Sequence, residues 1–216
     1  MKGKHMGKEQ HSELIIEMAP FVEEICGKEI SVSVLDAAQK YYCELVAENA
    51  TEPKAMYPHT RNRIYPGVAV FRALTDIGRE RSRAAEMFRK FYRHRAEKPA
   101  KKIRSLLKIP GLYKLMPKIF RFVMQKNFGE DAGFKASYYE TAKGEFRADM
   151  LVCPYMEICR KYGCTEIVPT FCETDDVAYG NMHPCVIWGR TKTLGKGCDC
   201  CDFKLTVVKK EKRNER

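Results

Sequence analysis

The hydrophobic periodicity of the chain changes near Gly133, and this change restricts the fold more than any other feature. Before it, apolar residues recur every three or four positions, which is typical of amphipathic helices. After it, FKASYYET and EFRADMLV alternate apolar and polar residues, which indicates two strands. Lys143-Gly144 between them predicts the turn of a β-hairpin. The 216 residues therefore divide into a helical part and a part that contains strands.

Residues 1–132 form the predicted helical region. The apolar spacing, the prolines and the glycines predict its elements in chain order: a helix from Ser12 to Gly27 that Pro20 kinks or splits, a helix from Ser33 to Glu48, a loop over 51–67, a helix from Val68 to Arg95 that Pro99 terminates, and two short helices on either side of Pro110-Gly111.

Residues 133–208 form the predicted cysteine-rich core, and residues 209–216 a charged tail. Two helices, from Pro154 to Gly163 and from Thr165 to Gly180, follow the hairpin. Strands over 183–194 and 201–208, joined by a Gly-Lys-Gly turn, complete the order β-β-α-α-β-β. The fold class is α+β: a helical N-terminal half packed on a small antiparallel sheet.

The positive charge is concentrated in the amphipathic helices of residues 79–126. This segment has sixteen Lys/Arg and three Asp/Glu, a net charge of +13, whereas the chain has +11, so the remaining residues sum to −2. Such helices can bind a membrane surface or nucleic acid, or can pack on a core with a solvated basic face. We favour packing on the core, because no groove-binding motif accompanies them, and we do not expect a nucleic-acid partner.

Whether the cysteines form disulfides or remain reduced depends on the cellular compartment of the protein. The N-terminus lacks the apolar stretch and cleavage site of a secretory signal, and no apolar stretch approaches the ~20 residues of a membrane span. We therefore expect a cytoplasmic protein whose ten cysteines are reduced thiols. A homo-oligomer is one possible state.

Zinc binding would require a cluster of thiolates. The pattern C-x-x-C occurs once, at Cys198 and Cys201, whereas structural zinc sites usually contain two such pairs. The spacing of the closest group is unspecific, so we expect no cofactor. The only zinc site that we consider combines Cys198, Cys200 and Cys201 with His183 or Cys185.

Cys172 and the acidic pair after it are candidate site residues. In a helix, Cys172 shares a face with Asp175 or Asp176, at a spacing of three or four residues. A neighbouring carboxylate does not activate a thiol, because it raises the pKa of the thiol. The carboxylate is better suited to bind a cationic group of a substrate, such as an amidinium, with the thiol near the electrophilic carbon. The alternative is a buried cysteine beside an exposed acidic pair.

Arg190 is a candidate binding residue on the predicted third strand. An arginine there can bind a carboxylate through two parallel hydrogen bonds, or it can be a solvated edge residue. If the last two strands pair as a hairpin, Asp202 comes close to Arg190 and the CDCCDF segment borders the same site.

The motifs FCETD, GRTKTLGKG and CDF, in this order, resemble those of the L-2-amino-thiazoline-4-carboxylic acid hydrolase family. The resemblance covers mainly Phe134 to Val208. It implies a hydrolase of non-peptide carbon–nitrogen bonds, which breaks a C–N or C–S bond to open a cyclic isothiourea or amidine-like ring and gives N-carbamoyl-cysteine. Cys198 and Cys200 are departures from the pattern.

The resemblance implies a role for each candidate residue. Arg190, with Thr191, binds the substrate carboxylate, and Cys153 completes the pocket wall. Asp175 or Asp202 binds the amidine-like group and acts as a base. The nucleophile is water or the thiolate of Cys172 or Cys201.

A non-catalytic function is the alternative. The helix-and-sheet layout with C-terminal cysteines is also similar to the vinyl-reductase-type small-molecule-binding domain, which serves as a sensor or carrier. This alternative predicts an enclosed apolar pocket, with or without a thiolate-bound metal. The enzyme hypothesis predicts instead that Cys172, Asp175, Arg190 and Cys201 meet in one pocket.

Overall fold

The computed structural model describes residues 11–209, and these form an α+β fold, as the periodicity predicts. In this range the α-helices are α1 (Glu13–Cys26), α2 (Lys28–Glu48), α3 (Tyr65–Asp76), α4 (Arg81–Leu106), α5 (Met116–Asn127), α6 (Pro154–Lys161) and α7 (Val168–Tyr179). The strands are β1 (Lys135–Tyr138), β2 (Glu145–Val152), β3 (Val186–Gly189) and β4 (Cys201–Val207). The predicted charged tail lies outside the described residues from position 210 onward.

Glycines in the left-handed region separate the N-terminal helices. Gly27, with φ of 80°, ends α1 and donates its N–H to the carbonyl of Glu23. The predicted stop at Gly27 is therefore confirmed, and Pro20 lies within α1 without ending it. The second helix begins at Lys28, five residues before its predicted start.

The prediction of one helix from Val68 to Arg95 is wrong. Gly78, with φ of 76°, separates α3 from α4. Pro99 does not end α4, which continues to Leu106. Proline removes one hydrogen bond to the preceding turn, and the buried Ala96 and Ala100 hold the helix against the core on both sides of it.

The predicted loop over 51–67 is shorter than expected. A π-helical turn, Thr60–Ile64, leads directly into α3, and Pro66 occupies the first turn of α3. Proline is tolerated there because the first N–H groups of a helix have no intrahelical partner. This π-helical turn becomes important below, because it carries a residue of the candidate site.

The sheet has the strand order β1-β2-β4-β3, and all its pairs are antiparallel. The predicted hairpin and the predicted order β-β-α-α-β-β are confirmed. In the registers, Met150 lies opposite Cys201 and Trp188 lies opposite Leu205. The third strand ends at Gly189, so the prediction of a strand through residue 194 is wrong, and residues 190–193 leave the sheet.

One hydrophobic core joins the helical region to the sheet, and buried side chains from both belong to it. Phe120 of α5 is central: its ring centroid lies 5.2 Å from that of Phe146 on β2 and 5.5 Å from that of Trp188 on β3. Gly195, in the turn before β4, approaches α7 so closely that an added Cβ would lie 3.1 Å from the Cys172 sulfur. The sheet, α5 and α7 thus enclose the space between them.

The basic helix α4 packs on this core through its apolar face and pairs several of its charges with other elements. Arg89 contacts Glu173 of α7 at 3.2 Å, and Arg95 contacts Glu17 of α1 at 3.0 Å. Among residues 11–209, no helix is long and apolar enough to cross a membrane.

Candidate functional site

Two adjoining cavities lie between α4, α7, the π-helical turn and the sheet. The inner cavity has a volume of about 110 Å³ and the outer one about 230 Å³. The inner cavity has a largely aromatic wall that includes Phe120, Phe134 and Phe203. Six residues line both cavities and mark their boundary: Arg63, Tyr155, Phe171, Thr174, Asp175 and Tyr179.

The structure brings five of the seven sequence-predicted site residues together. Cys153 from the end of β2, Cys172 and Asp175 from α7, Arg190 from the segment after β3, and Cys201 from β4 all line the inner cavity. The two other candidates, Thr191 and Asp202, do not line either cavity. Helical spacing on α7 places Cys172 and Asp175 on the same face, as the sequence predicts.

Arg190 is held by groups of the protein itself. Its Nη1 donates to Asp175 Oδ2 at 3.1 Å, and its Nη2 donates to Asp176 Oδ2 at 2.6 Å and to the Cys172 carbonyl at 2.8 Å. The Arg190 side chain is only 3% exposed. The indole Nε1 of Trp188 donates to the other oxygen of Asp176 at 3.0 Å. The guanidinium therefore fixes the two carboxylates on α7, and these contacts occupy two of its three nitrogens.

Among the residues that line the cavities, Asp175 has a pKa that suits proton transfer near neutral pH. Burial raises the pKa of its carboxyl to about 6; Arg190 opposes the shift, the neighbouring Asp176 adds to it, and Arg63 opposes it. The side chain keeps 38% of its surface accessible. Because Asp175 lines both cavities, a small molecule placed there would contact this surface. A carboxyl of this kind can both accept and release a proton near neutral pH.

Arg63 is the functional candidate that the sequence did not reveal. It comes from the π-helical turn, lines both cavities, and interacts with the Tyr155 hydroxyl. The interaction with Tyr155, which is larger than the opposing effect of burial, raises the pKa of Arg63. Arg61, two residues earlier, pairs instead with Glu52 at 3.0 Å. Only the fold distinguishes these two arginines, since both lie in the segment predicted as a loop.

Tyr155 connects Arg63 to a buried histidine. His59 Nε2 lies 2.9 Å from the Asn127 carbonyl and therefore donates to it. The other ring nitrogen, Nδ1, is then the acceptor in a long contact of 3.4 Å with the Tyr155 hydroxyl. Burial lowers the pKa of His59, so the ring is a neutral support for Tyr155 near pH 7.

Three thiols form one wall of the inner cavity, and all three are held in the protonated form. Burial raises the pKa of Cys153 to about 12, and burial is also the main cause that raises the pKa values of Cys172 and Cys201. The Cys201 sulfur accepts a hydrogen bond from the Leu194 N–H at 3.2 Å. In the free protein, these thiols do not have the environment of an activated nucleophile.

Asp202 fastens the segment that carries Arg190. Its carboxylate accepts hydrogen bonds from the backbone N–H groups of Thr191 and Lys192, at 2.8 and 2.5 Å, and from the Thr191 hydroxyl at 2.6 Å. Burial acts to raise the pKa of Asp202, but the hydrogen bonds together outweigh burial, and the pKa is lowered. These hydrogen bonds hold the backbone directly after Arg190, and neither Asp202 nor Thr191 lines the cavities.

The residues considered for zinc are not arranged as a cluster. His183 stacks on Tyr113 with ring centroids 4.3 Å apart, and its Nδ1 accepts the Cys185 N–H at 3.0 Å. Cys201 faces the inner cavity. Within residues 11–209 no group of three or more His, Cys, Asp or Glu side chains is placed to hold a metal ion.

The raised thiol pKa values predict an order of alkylation. Native protein treated with limiting iodoacetamide near neutral pH should be labelled at Cys198, which lies outside both cavities, at least about tenfold faster than at Cys172, because the thiolate is the reactive form. Peptide mass spectrometry measures both rates, and Cys198→Ser identifies the fast site. Rapid labelling of Cys172 below pH 7 would contradict this prediction.

Comparison with known proteins identifies the family of the chain. No curated protein and no solved structure matches the chain. The family model described as L-2-amino-thiazoline-4-carboxylic acid hydrolase matches residues 57–205. This range covers more than half of the 216 residues and includes every residue that lines the inner cavity. The chain therefore belongs to the L-2-amino-thiazoline-4-carboxylic acid hydrolase family, which is named for a hydrolase.

Proposed function

We propose that this protein hydrolyses a small anionic compound with an amidine-like carbon, of which a cyclic isothiourea carboxylate is the type. The observation that carries the proposal is the position of Asp175 with Arg63 at the boundary of the two cavities, where burial raises the pKa of the Asp175 carboxyl to about 6. Membership of a family named for L-2-amino-thiazoline-4-carboxylic acid hydrolase supports the same reaction class.

In this proposal Arg63, rather than Arg190, binds the substrate carboxylate. The contacts of Arg190 with Asp175, Asp176 and the Cys172 carbonyl leave little of its guanidinium for a ligand. Arg63 lines both cavities and interacts with Tyr155, and among the described residues it forms no ion pair of its own with a carboxylate. An arginine is suited to bind a carboxylate through two hydrogen bonds. Because Arg63 and Asp175 line the same two cavities, a ligand there could contact a positive and a negative group together.

Asp175 acts as the base in the proposed reaction. The ionised carboxylate takes a proton from water while the water oxygen bonds to the carbon between nitrogen and sulfur, and the C=N electron pair moves to nitrogen. Asp175 returns this proton to that nitrogen. The added hydroxyl then gives its proton, through Asp175, to the departing sulfur as a carbon–oxygen double bond forms and the carbon–sulfur bond breaks. The products are a carbamoyl group and a free thiol. A base with a pKa near the working pH is well suited to such proton transfers.

The thiols of Cys172 and Cys201 form the wall beside the reacting carbon in this proposal. Their raised pKa values leave little thiolate near neutral pH, so water is the favoured nucleophile. The aromatic wall of the inner cavity limits the water that reaches the substrate, which strengthens the electrostatic contacts of Asp175 and Arg63 with it.

A non-catalytic binding function is the second candidate, and the same aromatic wall favours it. An apolar cavity of about 110 Å³ with a few polar groups is also suited to hold a small ligand without changing it. In that case Asp175 and Arg63 would fix the orientation of the ligand. Turnover distinguishes the two candidates.

The test uses the purified full-length chain and L-2-amino-thiazoline-4-carboxylate. We expect release of a thiol, followed with a thiol reagent on the protein-free filtrate, and formation of N-carbamoyl-cysteine, identified by mass spectrometry. The matched compound 2-amino-thiazoline lacks the carboxylate and should react with a much higher KM. Tight binding without product would support the binding function, and neither binding nor product would exclude this substrate class.

A further inference from the structure

The segment from Lys101 to Lys126 exposes apolar side chains between basic ones. It contains eight Lys/Arg and no Asp or Glu. Six large apolar residues in it are exposed, with fractions from 36% at Val123 to 64% at Phe122. The six are Leu106, Ile109, Leu115, Ile119, Phe122 and Val123. Together with the eight basic residues of the segment they form what we call the apolar–basic surface.

Helix α5 is apolar on two sides. Its inner side buries Met116, Phe120 and Met124 in the core, so packing on the core already explains one apolar stripe. The outer residues Ile119 and Phe122 are 40% and 64% exposed. Packing within the described residues does not account for them. Contiguous exposed apolar side chains on a helix can mark a surface that contacts a partner or a membrane.

We infer that the apolar–basic surface docks on an anionic lipid surface. Exposed aliphatic and aromatic side chains among lysines and arginines are typical of helices that lie in the membrane interface. The charge of +8 over residues 101–126 adds attraction to anionic headgroups.

The charge and the apolar residues together disfavour two other occupants, a second copy of the chain and nucleic acid. Two copies meeting through this surface would bring two sets of eight positive charges together. Nucleic acid would neutralise the charges, but its phosphate backbone would leave the exposed Leu, Ile and Phe side chains without an apolar partner. An anionic bilayer accommodates both features, because its headgroups take the charges and its acyl boundary takes the apolar groups.

The docking surface borders the candidate site. Val123 belongs to the surface and also lines the inner cavity, and Ile103, between Lys102 and Arg104, lines the outer cavity. Docking would therefore place the cavities next to the lipid headgroups. The inference is independent of the reaction, since it rests on the outer side of the molecule.

The test is flotation of the full-length chain with phosphatidylcholine vesicles and with vesicles that also contain phosphatidylglycerol. We expect binding to the anionic vesicles only. Phe122→Ser should weaken it at least about tenfold, because it removes the most exposed apolar side chain of the surface, at 64%, from the acyl boundary. The matched control is Ile187→Ser, which removes an apolar side chain that is 53% exposed on β3, outside the surface. It should bind like the unmodified chain.

Four results would overturn the inference. The first is no binding to anionic vesicles, and the second is that Phe122→Ser binds as well as the unmodified chain and that moderate salt abolishes all binding. The third is that the chain binds duplex DNA instead of vesicles and needs Phe122 to do so. The fourth is that the chain self-associates and Phe122→Ser abolishes the self-association. Unfolding is not an alternative explanation, because thermal melting followed by circular dichroism should be unchanged in Phe122→Ser, whose side chain is 64% exposed in the native chain.

Discussion

Replacement of Asp175 by asparagine is expected to lower kcat/KM for L-2-amino-thiazoline-4-carboxylate by about 10²–10⁴-fold, the range in which general bases contribute. Asparagine keeps the size of the side chain and can still accept a hydrogen bond from Arg190, but it cannot take a proton from water. The measurement is initial rate against substrate concentration at pH 7.5. The loss should fall mainly on kcat.

Asp176→Asn is the matched control for this experiment. Asp176 is the next residue on α7 and also binds Arg190, at 2.6 Å, but it does not line either cavity. We expect Asp176→Asn to retain activity within a few-fold. Equal losses in the two variants would show that the carboxylates act only by holding Arg190, and Asp175 would then not be the base.

The stability of Asp175→Asn distinguishes catalysis from structural support. The folded chain holds the Asp175 proton more tightly than the unfolded chain, because the pKa is raised from 3.8 to about 6. The associated contribution to folding is present below pH 3.8 and is lost as the pH rises through about 6. At pH 7.5 the variant should therefore be as stable as the unmodified chain or slightly more stable, although it is inactive. A large loss of stability would indicate a structural role.

Replacement of Arg190 by methionine is expected to have the largest effect on stability. It leaves the carboxylates of Asp175 and Asp176 beside each other without their cation. Breaking a fully buried pair costs roughly 3–5 kcal/mol, but the carboxylate side chains are 38% and 50% exposed, and we expect about 2 kcal/mol here. Urea unfolding followed by circular dichroism measures the change.

The same variant should change the titration of Asp175. Arg190 lowers the pKa of Asp175, so its removal should move the activity profile to higher pH, whereas Asp176→Asn should move it to lower pH. Arg190→Lys keeps the charge but cannot reach all three acceptors together, and it should lose less stability than Arg190→Met. An Arg190→Met protein with unchanged stability and unchanged pH profile would contradict the role that we assign to Arg190.

The sequence predicted the fold class because the local signals agree with the tertiary structure. The alternation in β2 and the turn at Gly144 are local features, and the structure confirms the hairpin that they indicate. The predicted break at Pro99 is wrong because tertiary packing on both sides of the proline maintains the helix. The third strand ends early because Asp202 binds the backbone of residues 191 and 192, which no local pattern reveals.

The site was predictable where residues are close in sequence. Cys172 and Asp175 share a helix face, and that spacing is visible in the sequence. The position of Arg63 depends on a π-helical turn and on packing against Tyr155, 92 residues later in the numbering. The contacts of Arg190 likewise depend on how α7 meets the end of β3. The sequence alone does not show whether Arg190 binds the substrate carboxylate or the Asp175 carboxylate.

The most direct test of Asp175 as the base is the pH dependence of kcat/KM for the unmodified protein, measured from about pH 5 to about pH 9 with the substrate titrated separately. We predict that activity rises with pH through an inflection near 6, the pKa of Asp175, and then reaches a plateau. The inflection should be absent from the residual activity of Asp175→Asn. Activity that rises only above about pH 8, where thiols ionise, would contradict the account and assign the reaction to a cysteine.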